Sequence, residues 1–156
     1  MSEYMIGEVT VEELSQVSAM VKTVFDKFNA AAFSAAGIQS FYNLIDPAAM
    51  QNRLAVNSFM FVARQNEQIL GAIEIYYVNH ILLLFTAENW HGCGIAKSLL
   101  TAGSDKCRRE HPDVQQLTVG AFQGAVPVYH KLGFVIYDQE QMIHDIRFTP
   151  MLKKFS

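Results

Sequence analysis

The sequence predicts a fold of the α+β (mixed α/β) class, with a central, mostly antiparallel sheet of six to seven strands and about four to five flanking helices. Three observations support this prediction. Short apolar or alternating runs of strand length follow one another between residues 59 and 86. Two longer segments carry apolar residues at helical spacing, and a glycine-rich turn joins the last of those strands to the second of these helices.

The N-terminal third is predicted to contain one strand followed by helices. Thr10 and Glu13 have the spacing of a capping box, in which each side chain accepts a hydrogen bond from the other residue's backbone N–H at a helix start. Asp46 before Pro47 is a second start signal, because Asp is a favoured N-cap and Pro a favoured first helical residue. The predicted elements are a strand at 6–9, a helix at 10–29, a turn closed by Gly37, a short helix at 41–44 and a helix at 47–56.

The middle of the chain is predicted to contain three consecutive strands and then a long helix. Residues 65–67 and the pair Asn79 and His80 have the composition of turns between strands. The run from Ile81 to Thr86 has no polar side chain before Thr86, which predicts a strand covered on both faces. The remaining predicted elements are strands at 59–64, 68–77 and 117–119, a helix that begins after Gly94, a helix at 125–132 that ends at Gly133, and strands at 134–138 and 142–148.

Composition argues against several classes of protein. The chain has 156 residues, two cysteines, a formal net charge of −3 and a pI near 5.9, so we expect a single domain spanning residues 1–156. The basic excess of a nucleic-acid-binding protein is missing, no apolar run approaches the roughly 20 residues of a membrane span, and no secretory leader pattern is present. We therefore expect a cytoplasmic protein without nucleic-acid or membrane partners. Cys93 and Cys107 have neither zinc-site nor disulfide-framework spacing, so no metal is expected.

The glycine-rich turn is a candidate anion-binding site. A helix start leaves backbone N–H groups without partners, and the small residues Gly92, Gly94 and Ala96 cannot shield them from a phosphate. A plain tight turn is an equally good interpretation of these glycines taken alone. The usual nucleotide motifs do not fit, because His91 and Ala96 occupy the glycine positions of a P-loop. A dinucleotide fingerprint would need a further glycine or alanine, and an acidic residue at the end of the next parallel strand.

Two segments resemble the signature motifs of one enzyme superfamily. The first is residues 91–96, His-Gly-Cys-Gly-Ile-Ala, which is similar to the Arg/Gln-x-x-Gly-x-Gly/Ala motif of the GNAT superfamily of N-acetyltransferases, with His91 where Arg or Gln is usual. The second is residues 125–134, Ala-Val-Pro-Val-Tyr-His-Lys-Leu-Gly-Phe, which resembles the later Ala-x-x-x-Tyr-x-x-x-Gly-Phe motif. Two ordered motifs are more specific than either alone. The resemblance covers residues 59–138, and residues 146–151 resemble the ending of some small bacterial members.

The resemblance implies a GNAT-like fold with a splayed sheet, and it implies acetyl-CoA as the co-substrate. The backbone of one strand would hydrogen-bond the pantetheine arm, and the amides of the glycine turn would receive the pyrophosphate. Tyr129 would lie near the thioester sulfur, where its hydroxyl would protonate the leaving thiolate or hold it by a hydrogen bond. The residues implied to bind the cofactor are Leu84, Phe85 and Thr86 on the strand, and His91, Gly92, Cys93, Gly94, Ile95, Ala96 and Lys97 in the turn.

A base is also required, because an amine acceptor arrives as an ammonium and must lose a proton before it attacks. Glu74 and His80 are the candidate catalytic residues for this step, and His144 on the last predicted strand is a third. A solvent-facing strand residue is an equal alternative for Glu74, and a plain turn residue is the alternative for His80. Cys93 lies in the phosphate turn, far along an extended CoA from the acetyl group, so we expect this thiol to react with oxidants rather than to catalyse transfer.

The functional prediction is transfer of the acetyl group of acetyl-CoA to a primary amine of a small molecule or peptide by direct attack. A noncatalytic CoA-binding or protein-interaction module on the same fold is the alternative. Family members often have Asn after the strand that precedes the second motif, whereas Val119 is followed here by Gly120. The net acidity is compatible with cationic acceptors and equally with ordinary solubility. A homodimer formed through the C-terminal strands is compatible with the sequence, although no single residue supports it.

Overall fold

The computed structural model describes residues 3–156, in which eight strands form one sheet. The strands are β1 (Met5–Glu8), β2 (Ser58–Gln65), β3 (Gln68–Tyr76), β4 (His80–Thr86), β5 (Gln116–Ala121), β6 (Val135–Ile136), β7 (Gln141–Ile143) and β8 (Ile146–Lys154). Their order across the sheet is β1-β2-β3-β4-β5-β8-β6, and β7 pairs with β8 beside this order. The last strand therefore lies inside the sheet, between β5 and β6.

Helices connect these strands. The α-helices are α1 (Leu14–Phe28), α2 (Ala35–Leu44), α3 (Pro47–Val56), α4 (Ile95–Glu110) and α5 (Val126–Lys131), and short 3₁₀ helices span Val11–Glu13, Ala30–Ala32, Glu88–Trp90 and Gln123–Ala125. Both predicted start signals are found, since the Glu13 carboxylate accepts a hydrogen bond from the Thr10 backbone N–H at 2.9 Å. The Asp46 carboxylate likewise accepts one from the Ala49 N–H at 3.2 Å. None of the helices within residues 3–156 is long and apolar enough to cross a membrane.

The sheet is antiparallel except where β4 meets β5. These two strands pair in parallel at two positions, His80 with Thr118 and Ile81 with Val119. Directly after Ile81, an irregularity in the pairing of β4 with β3 leaves Leu82 unpaired. Such a bulge bends a strand and increases its local twist. The strands β4 and β5 therefore separate from Leu82 onward, which leaves one edge of β4 open.

Two apolar clusters hold the helices against opposite faces of the sheet. Helices α1, α2 and α3 pack on one face, around the fully buried rings of Phe25 and Phe41. Helices α4 and α5 pack on the other face, around the buried Leu99. Neighbouring β3 residues divide between the clusters, with Ala72 in the first and Ile73 in the second, as strand alternation requires. A sheet covered on both faces fits the apolar character of its central strands.

The prediction for residues 30–44 is wrong in one respect. Gly37 does not close a turn but lies in the first turn of α2, where its N–H donates to the Ser34 hydroxyl at 3.0 Å. Serine is a strong N-cap, and this cap starts the helix at Ala35 instead of at residue 41. The helix is therefore longer than the pattern of its apolar residues alone indicates.

The prediction of a single strand at 142–148 is also wrong. The segment is a hairpin of β7 and β8, turned at His144 and Asp145, whose φ angles are 53° and 65°. Two consecutive residues with left-handed backbone make a tight turn, which a pattern of apolar residues does not reveal. The hairpin raises the number of strands to eight and places His144 in a turn instead of on a strand. The strand predicted at 134–138 is shortened to Val135–Ile136.

Candidate functional site

The glycine turn between β4 and α4 is shaped by two left-handed residues. Gly92 and Gly94 have φ angles of 79° and 82°, which residues with a Cβ rarely adopt. A Cβ built at either glycine would find no atom within 4 Å. Gly94 is also the N-cap of α4. The backbone conformation favours glycine at both positions, and the space beside the two Cα atoms is open.

The turn carries a row of free backbone donors. Within residues 3–156, the N–H groups of Gly92 and of residues 94–97 donate to no other group, as is usual at a helix start. The amides of His91 and Cys93 differ, since they donate to the carbonyls of Glu88 and Trp90 at 3.2 and 3.3 Å. Five of the seven amides predicted to receive a pyrophosphate are thus open, and two are used inside the turn.

His91 ties the turn to the end of β4. Its Nε2 atom lies 2.8 Å from the carbonyl oxygen of Thr86. Because a carbonyl only accepts, Nε2 carries the hydrogen and donates it. The ring also lies 5.4 Å from that of Phe28 on α1, measured between centroids. This residue replaces the Arg or Gln of the motif, and its side chain fixes the turn against the strand.

The open edge of β4 exposes the backbone of alternate residues. Ala87, just after the strand, donates its N–H to the Leu70 carbonyl on the β3 side at 2.8 Å. Successive strand residues direct their backbone groups to opposite edges, so Phe85 also faces β3, whereas Leu84 and Thr86 face the open edge. The strand hydrogen bonds predicted for a pantetheine arm are therefore limited to Leu84 and Thr86. The Thr86 carbonyl already accepts a bond from the turn.

A cavity of about 470 Å³, here called the turn cavity, lies between the open edge of β4, the glycine turn and α5. Nine of the ten residues predicted to bind the cofactor line it, and Cys93, whose side chain is exposed, does not. Free N–H donors at a helix start suit a diphosphate, and an unpaired strand edge suits an arm that contains amides. The groups present in this cavity therefore fit acetyl-CoA.

Tyr129 on α5 lines the turn cavity and is 8% exposed. Its ring packs edge-on against Phe134, with centroids 5.4 Å apart. Its hydroxyl makes no hydrogen bond with the described part of the chain, yet its oxygen is not sealed inside protein, so it opens into the cavity. Burial raises the pKa of Tyr129. The phenol is therefore protonated at neutral pH and is a hydrogen-bond donor.

A second cavity of about 550 Å³, here called the hairpin cavity, lies between α2, α3 and the β7–β8 hairpin. It shares the lining residues Leu82, Gly120 and Phe122 with the turn cavity. Leu82 is the unpaired residue of β4, and Gly120 follows the last parallel pair on β5. The two cavities therefore adjoin where the two strands separate.

His80, the first residue of β4, lines the hairpin cavity. Its Nδ1 atom lies 2.8 Å from the Thr118 hydroxyl oxygen. Burial lowers the pKa of His80, so its imidazole is neutral at pH 7. When Nδ1 donates to Thr118, the other ring nitrogen is a free acceptor, as a base requires. The third base candidate, His144, also lines this cavity but lies in the exposed hairpin turn.

Glu74 on β3 is fully buried, so the solvent-facing alternative is wrong. Its carboxylate accepts hydrogen bonds from Arg53 Nε at 2.8 Å and Arg53 Nη2 at 2.9 Å, and from the Ser58 hydroxyl at 2.7 Å. Arg53 lines the hairpin cavity, whereas Glu74 lies behind it and lines neither cavity. The geometry makes Glu74 the ionic partner of Arg53, without a face open to a substrate amine.

Several residues that shape the two cavities were missed in the sequence. The bulge at Leu82 lies within an apolar run and has no sequence signal. Arg53 and Phe148 are far from the motifs, and Phe122 is one of many aromatic residues. The one sequence signal for this region was Gly120, which stands where family members often have Asn. In the structure, a Cβ built at Gly120 would lie 2.8 Å from a ring carbon of Phe148.

The comparisons with known proteins decide the family. The sequence model of the family described as Acetyltransferase (GNAT) domain matches residues 29–155. The chain belongs to the GNAT acetyltransferase family. Members of this family use acetyl-CoA, and the chain is accordingly an acetyltransferase. No curated protein matches the sequence.

Solved structures show the same GNAT fold. The PaiA N-acetyltransferase of Thermoplasma acidophilum, in complex with coenzyme A, superposes with a TM-score of 0.84 at 16% identity, covering 99% of this chain and 100% of the other. The GCN5-related N-acetyltransferase named Aminotransferase, Class-II, from Rhodopseudomonas palustris has a TM-score of 0.83 at 19% identity, with coverages of 99% and 98%. A GNAT family acetyltransferase from Staphylococcus aureus Mu50 gives 0.78 at 14% identity, with coverages of 97% and 99%. The predicted GNAT-like fold is confirmed.

Proposed function

We propose that this GNAT family member transfers the acetyl group of acetyl-CoA to the primary amine of a small molecule or peptide by direct attack. The observation that carries the proposal is the meeting of two cavities at the gap between β4 and β5. A protonated phenol opens into one cavity and a neutral imidazole into the other. This arrangement suits a reaction that joins two substrates supplied from opposite sides. A noncatalytic CoA-binding module would need only the turn cavity.

In this proposal the turn cavity holds the cofactor through backbone groups. The free amides of Gly92 and of residues 94–97 bind the diphosphate, and the dipole of α4 favours its negative charge. The Lys97 side chain, at the same end of the cavity, adds a positive charge. Leu84 and Thr86 hold the pantetheine arm by backbone hydrogen bonds at the open edge of β4.

Two side chains, His80 and Tyr129, act on the protons of the amine and of the leaving thiol in this proposal. When bound, acetyl-CoA supplies the thioester carbonyl carbon that the amine attacks. His80 accepts the proton that the ammonium must lose, directly or through a water molecule. Tyr129 donates its hydroxyl hydrogen to the sulfur of the departing thiolate. A thiol has a pKa of about 8.5 and a phenol of about 10, so a hydrogen bond from Tyr129 suffices without full proton transfer.

Glu74 has a positioning role in this proposal. Its carboxylate fixes Arg53 at the wall of the hairpin cavity, on the same side as His80. Rigid walls matter for this reaction, because holding an amine and a thioester in the attacking geometry supplies up to roughly 7–11 kcal/mol of the barrier reduction. Positioning therefore contributes more than either proton transfer.

Thiol release and product formation, measured together, test the proposal. The purified protein is incubated with acetyl-CoA and a panel of amines and peptides. We expect released CoA thiol to match an N-acetylated product identified by mass spectrometry, at a rate above the hydrolysis seen without amine. If acetyl-CoA stabilises the fold but no amine or peptide is acetylated, the function is binding alone and the proposal is wrong. A saturating ligand should stabilise by about 2.7 kcal/mol at 100 times its Kd.

Protection of Cys93 from alkylation tests the assignment of the turn independently of activity. Cys93 is exposed in the turn, whereas Cys107 is fully buried, donates to the Val78 carbonyl at 3.1 Å and has a pKa raised by burial. Iodoacetamide should therefore label Cys93 first, and bound CoA should slow this labelling. Cys107 is the internal control. Equal labelling rates of Cys93 with and without saturating CoA would contradict the assignment.

A further inference from the structure

Resting on the proposed function, we infer that the amine accepted in the hairpin cavity has a hydrocarbon body, preferably aromatic, and a single ammonium group. Polyamines and other polycations are then poor acceptors. The inference follows from three features of the hairpin cavity: its apolar wall, the ring that Gly120 admits, and the absence of carboxylates among its described lining residues.

The wall of the hairpin cavity is largely hydrocarbon. Phe41, Phe122 and Phe148 contribute aromatic rings, and Leu44, Ile81 and Ile146 contribute aliphatic side chains. Phe41 stacks on Phe25 with ring centroids 4.0 Å apart, which holds it in place. A volume of about 550 Å³ is that of a small-molecule pocket. Each apolar carbon that a ligand buries against such a wall makes the free energy of binding more favourable.

Gly120 makes the aromatic part of this wall possible. It lies on β5 at the junction of the two cavities. A Cβ built on it would lie 2.8 Å from one ring carbon of Phe148, a distance that real Cβ atoms essentially never show, and 3.1 Å from a second. A side chain such as the Asn found in many family members would displace the ring. The departure from the family pattern therefore exchanges a polar amide for an aromatic surface.

The charges of the hairpin cavity oppose a second ammonium. Among the described residues that line it, Arg53 alone carries a permanent charge, and none is a carboxylate. The carboxylate of Glu74 lies behind Arg53, fully buried and engaged by three hydrogen bonds. A second ammonium would therefore lose water beside the Arg53 guanidinium and would find no carboxylate partner in the described wall, which is costly. The one ammonium of a monoamine transfers its proton, and with it the positive charge, to His80, so the amine that attacks is neutral.

A matched pair of amines tests the inference. Hexylamine and cadaverine have the same number of heavy atoms and differ in a terminal methyl group against a second ammonium. We expect kcat/KM for hexylamine to exceed that for cadaverine by about tenfold or more, and phenethylamine to be at least as good as hexylamine. Spermidine should be poorer than either. A preference for cadaverine or spermidine, or acetylation of peptides alone, would overturn the inference and leave the proposed function intact. Acetylation of no acceptor would instead overturn the proposed function.

A negative charge introduced in the hairpin cavity tests whether the amine binds there. Asn43 lines the hairpin cavity and accepts a hydrogen bond from Gln39 at 3.0 Å, which an aspartate can also accept. Asn43→Asp should raise kcat/KM for cadaverine by about fivefold relative to hexylamine, since it supplies the missing partner charge. Gln16→Glu makes the same change of net charge on the exposed face of α1 and is the control. An equal response of the two variants, or no response of Asn43→Asp, would show that the amine does not bind in this cavity.

The same assay tests whether the aromatic wall contacts the amine. Phe148→Leu keeps an apolar side chain but removes the ring that packs over Gly120. We expect it to lower kcat/KM for phenethylamine by about threefold or more relative to hexylamine, because ring contacts are lost only with the aromatic amine. An unchanged ratio would overturn the preference for an aromatic body.

Discussion

The turn cavity and the hairpin cavity meet at one gap, but they are built in different ways. The turn cavity takes its free N–H groups from one continuous stretch, residues 84–97, and side chains from α1, β5 and α5 complete its wall. The hairpin cavity is formed mainly by side chains from α2, α3, the start of β4, β5 and the C-terminal hairpin. One site therefore depends on conformation, and the other depends on the identity of residues far apart in the chain.

This difference bears on what the chain shares with solved structures of low sequence identity. Identities of 14–19% accompany TM-scores of 0.78–0.84 over nearly the whole chain. A site made of N–H groups needs small residues at a few places and tolerates change elsewhere. A site made of side chains changes whenever they change. We expect the acceptor, and not the cofactor, to distinguish this protein from its structural neighbours.

The largest expected effect concerns the ion pair of the hairpin cavity. Arg53→Met leaves the carboxylate of Glu74, which is fully buried, without its partner. The free energy of unfolding should fall by about 3–5 kcal/mol in urea denaturation. The double variant with Glu74→Met should recover much of this loss, because no buried charge then remains. Lys22→Met breaks the exposed pair with Asp26 and is the control, for which little change is expected. Equal losses of unfolding free energy in Arg53→Met and Lys22→Met would contradict the special role of the buried pair.

The second prediction concerns the base. His80→Gln should lower kcat about 100-fold at pH 8, as loss of a general base does. In the wild type, kcat should fall as the pH drops through the pKa of His80, which burial holds below its ordinary value of 6.5. The variant should lose this acid limb. His111→Gln, an exposed substitution at the end of α4, is the control and should keep the wild-type profile. An acid limb that survives in His80→Gln would remove His80 from the mechanism.

The third prediction concerns the phenol of the turn cavity. Tyr129→Phe should lower kcat about tenfold, because it removes one hydrogen bond to a developing thiolate. The Kd of CoA, measured calorimetrically, should stay within about twofold, since the ring that lines the wall remains. Tyr137→Phe removes the hydroxyl of an exposed tyrosine that lines neither cavity and serves as the control. Burial raises the pKa of Tyr129, so no alkaline loss of activity should come from its ionisation below about pH 10.

The smallest expected effect concerns the backbone of the turn. Gly94→Ala places a Cβ in left-handed backbone, at a cost of about 1 kcal/mol that the turn can relieve by relaxing away from its binding shape. The Kd of CoA should rise about fivefold. Gly124→Ala is the matched control, because Gly124 has equally open surroundings but no positive φ. If both substitutions raise the Kd of CoA equally, the left-handed conformation of Gly94 is not what the turn contributes to binding.

The sequence predicted the cofactor side better than the acceptor side, for a physical reason. Glycines at fixed spacing before a helix report directly on backbone conformation, and nine of the ten residues that the family resemblance implied for cofactor binding line the turn cavity. That these residues bind acetyl-CoA stays a prediction. The helix starts at Thr10 and Asp46 were equally local signals, and both are present.

The acceptor side could not be predicted, because it depends on contacts between distant segments. Glu74 gave no sign of burial, since its partner Arg53 comes from another element, 21 residues earlier. The left-handed turn at His144 has no local marker such as glycine. The unpaired Leu82 is set by how β4 bends against both neighbouring strands. Each of these features is decided by tertiary structure and not by local pattern.

The internal position of β8 has a consequence for synthesis on the ribosome. This last strand of the described chain pairs with β5, β6 and β7, whereas β5 otherwise pairs with β4 at two positions only. Until residue 154 has left the exit tunnel, β5 therefore presents a nearly unpaired edge to the cell. Domains emerge from their N-termini first, and unpaired edges are where nascent chains aggregate. Chaperones that shield strand edges should matter most for this protein between the emergence of β5 and the emergence of β8.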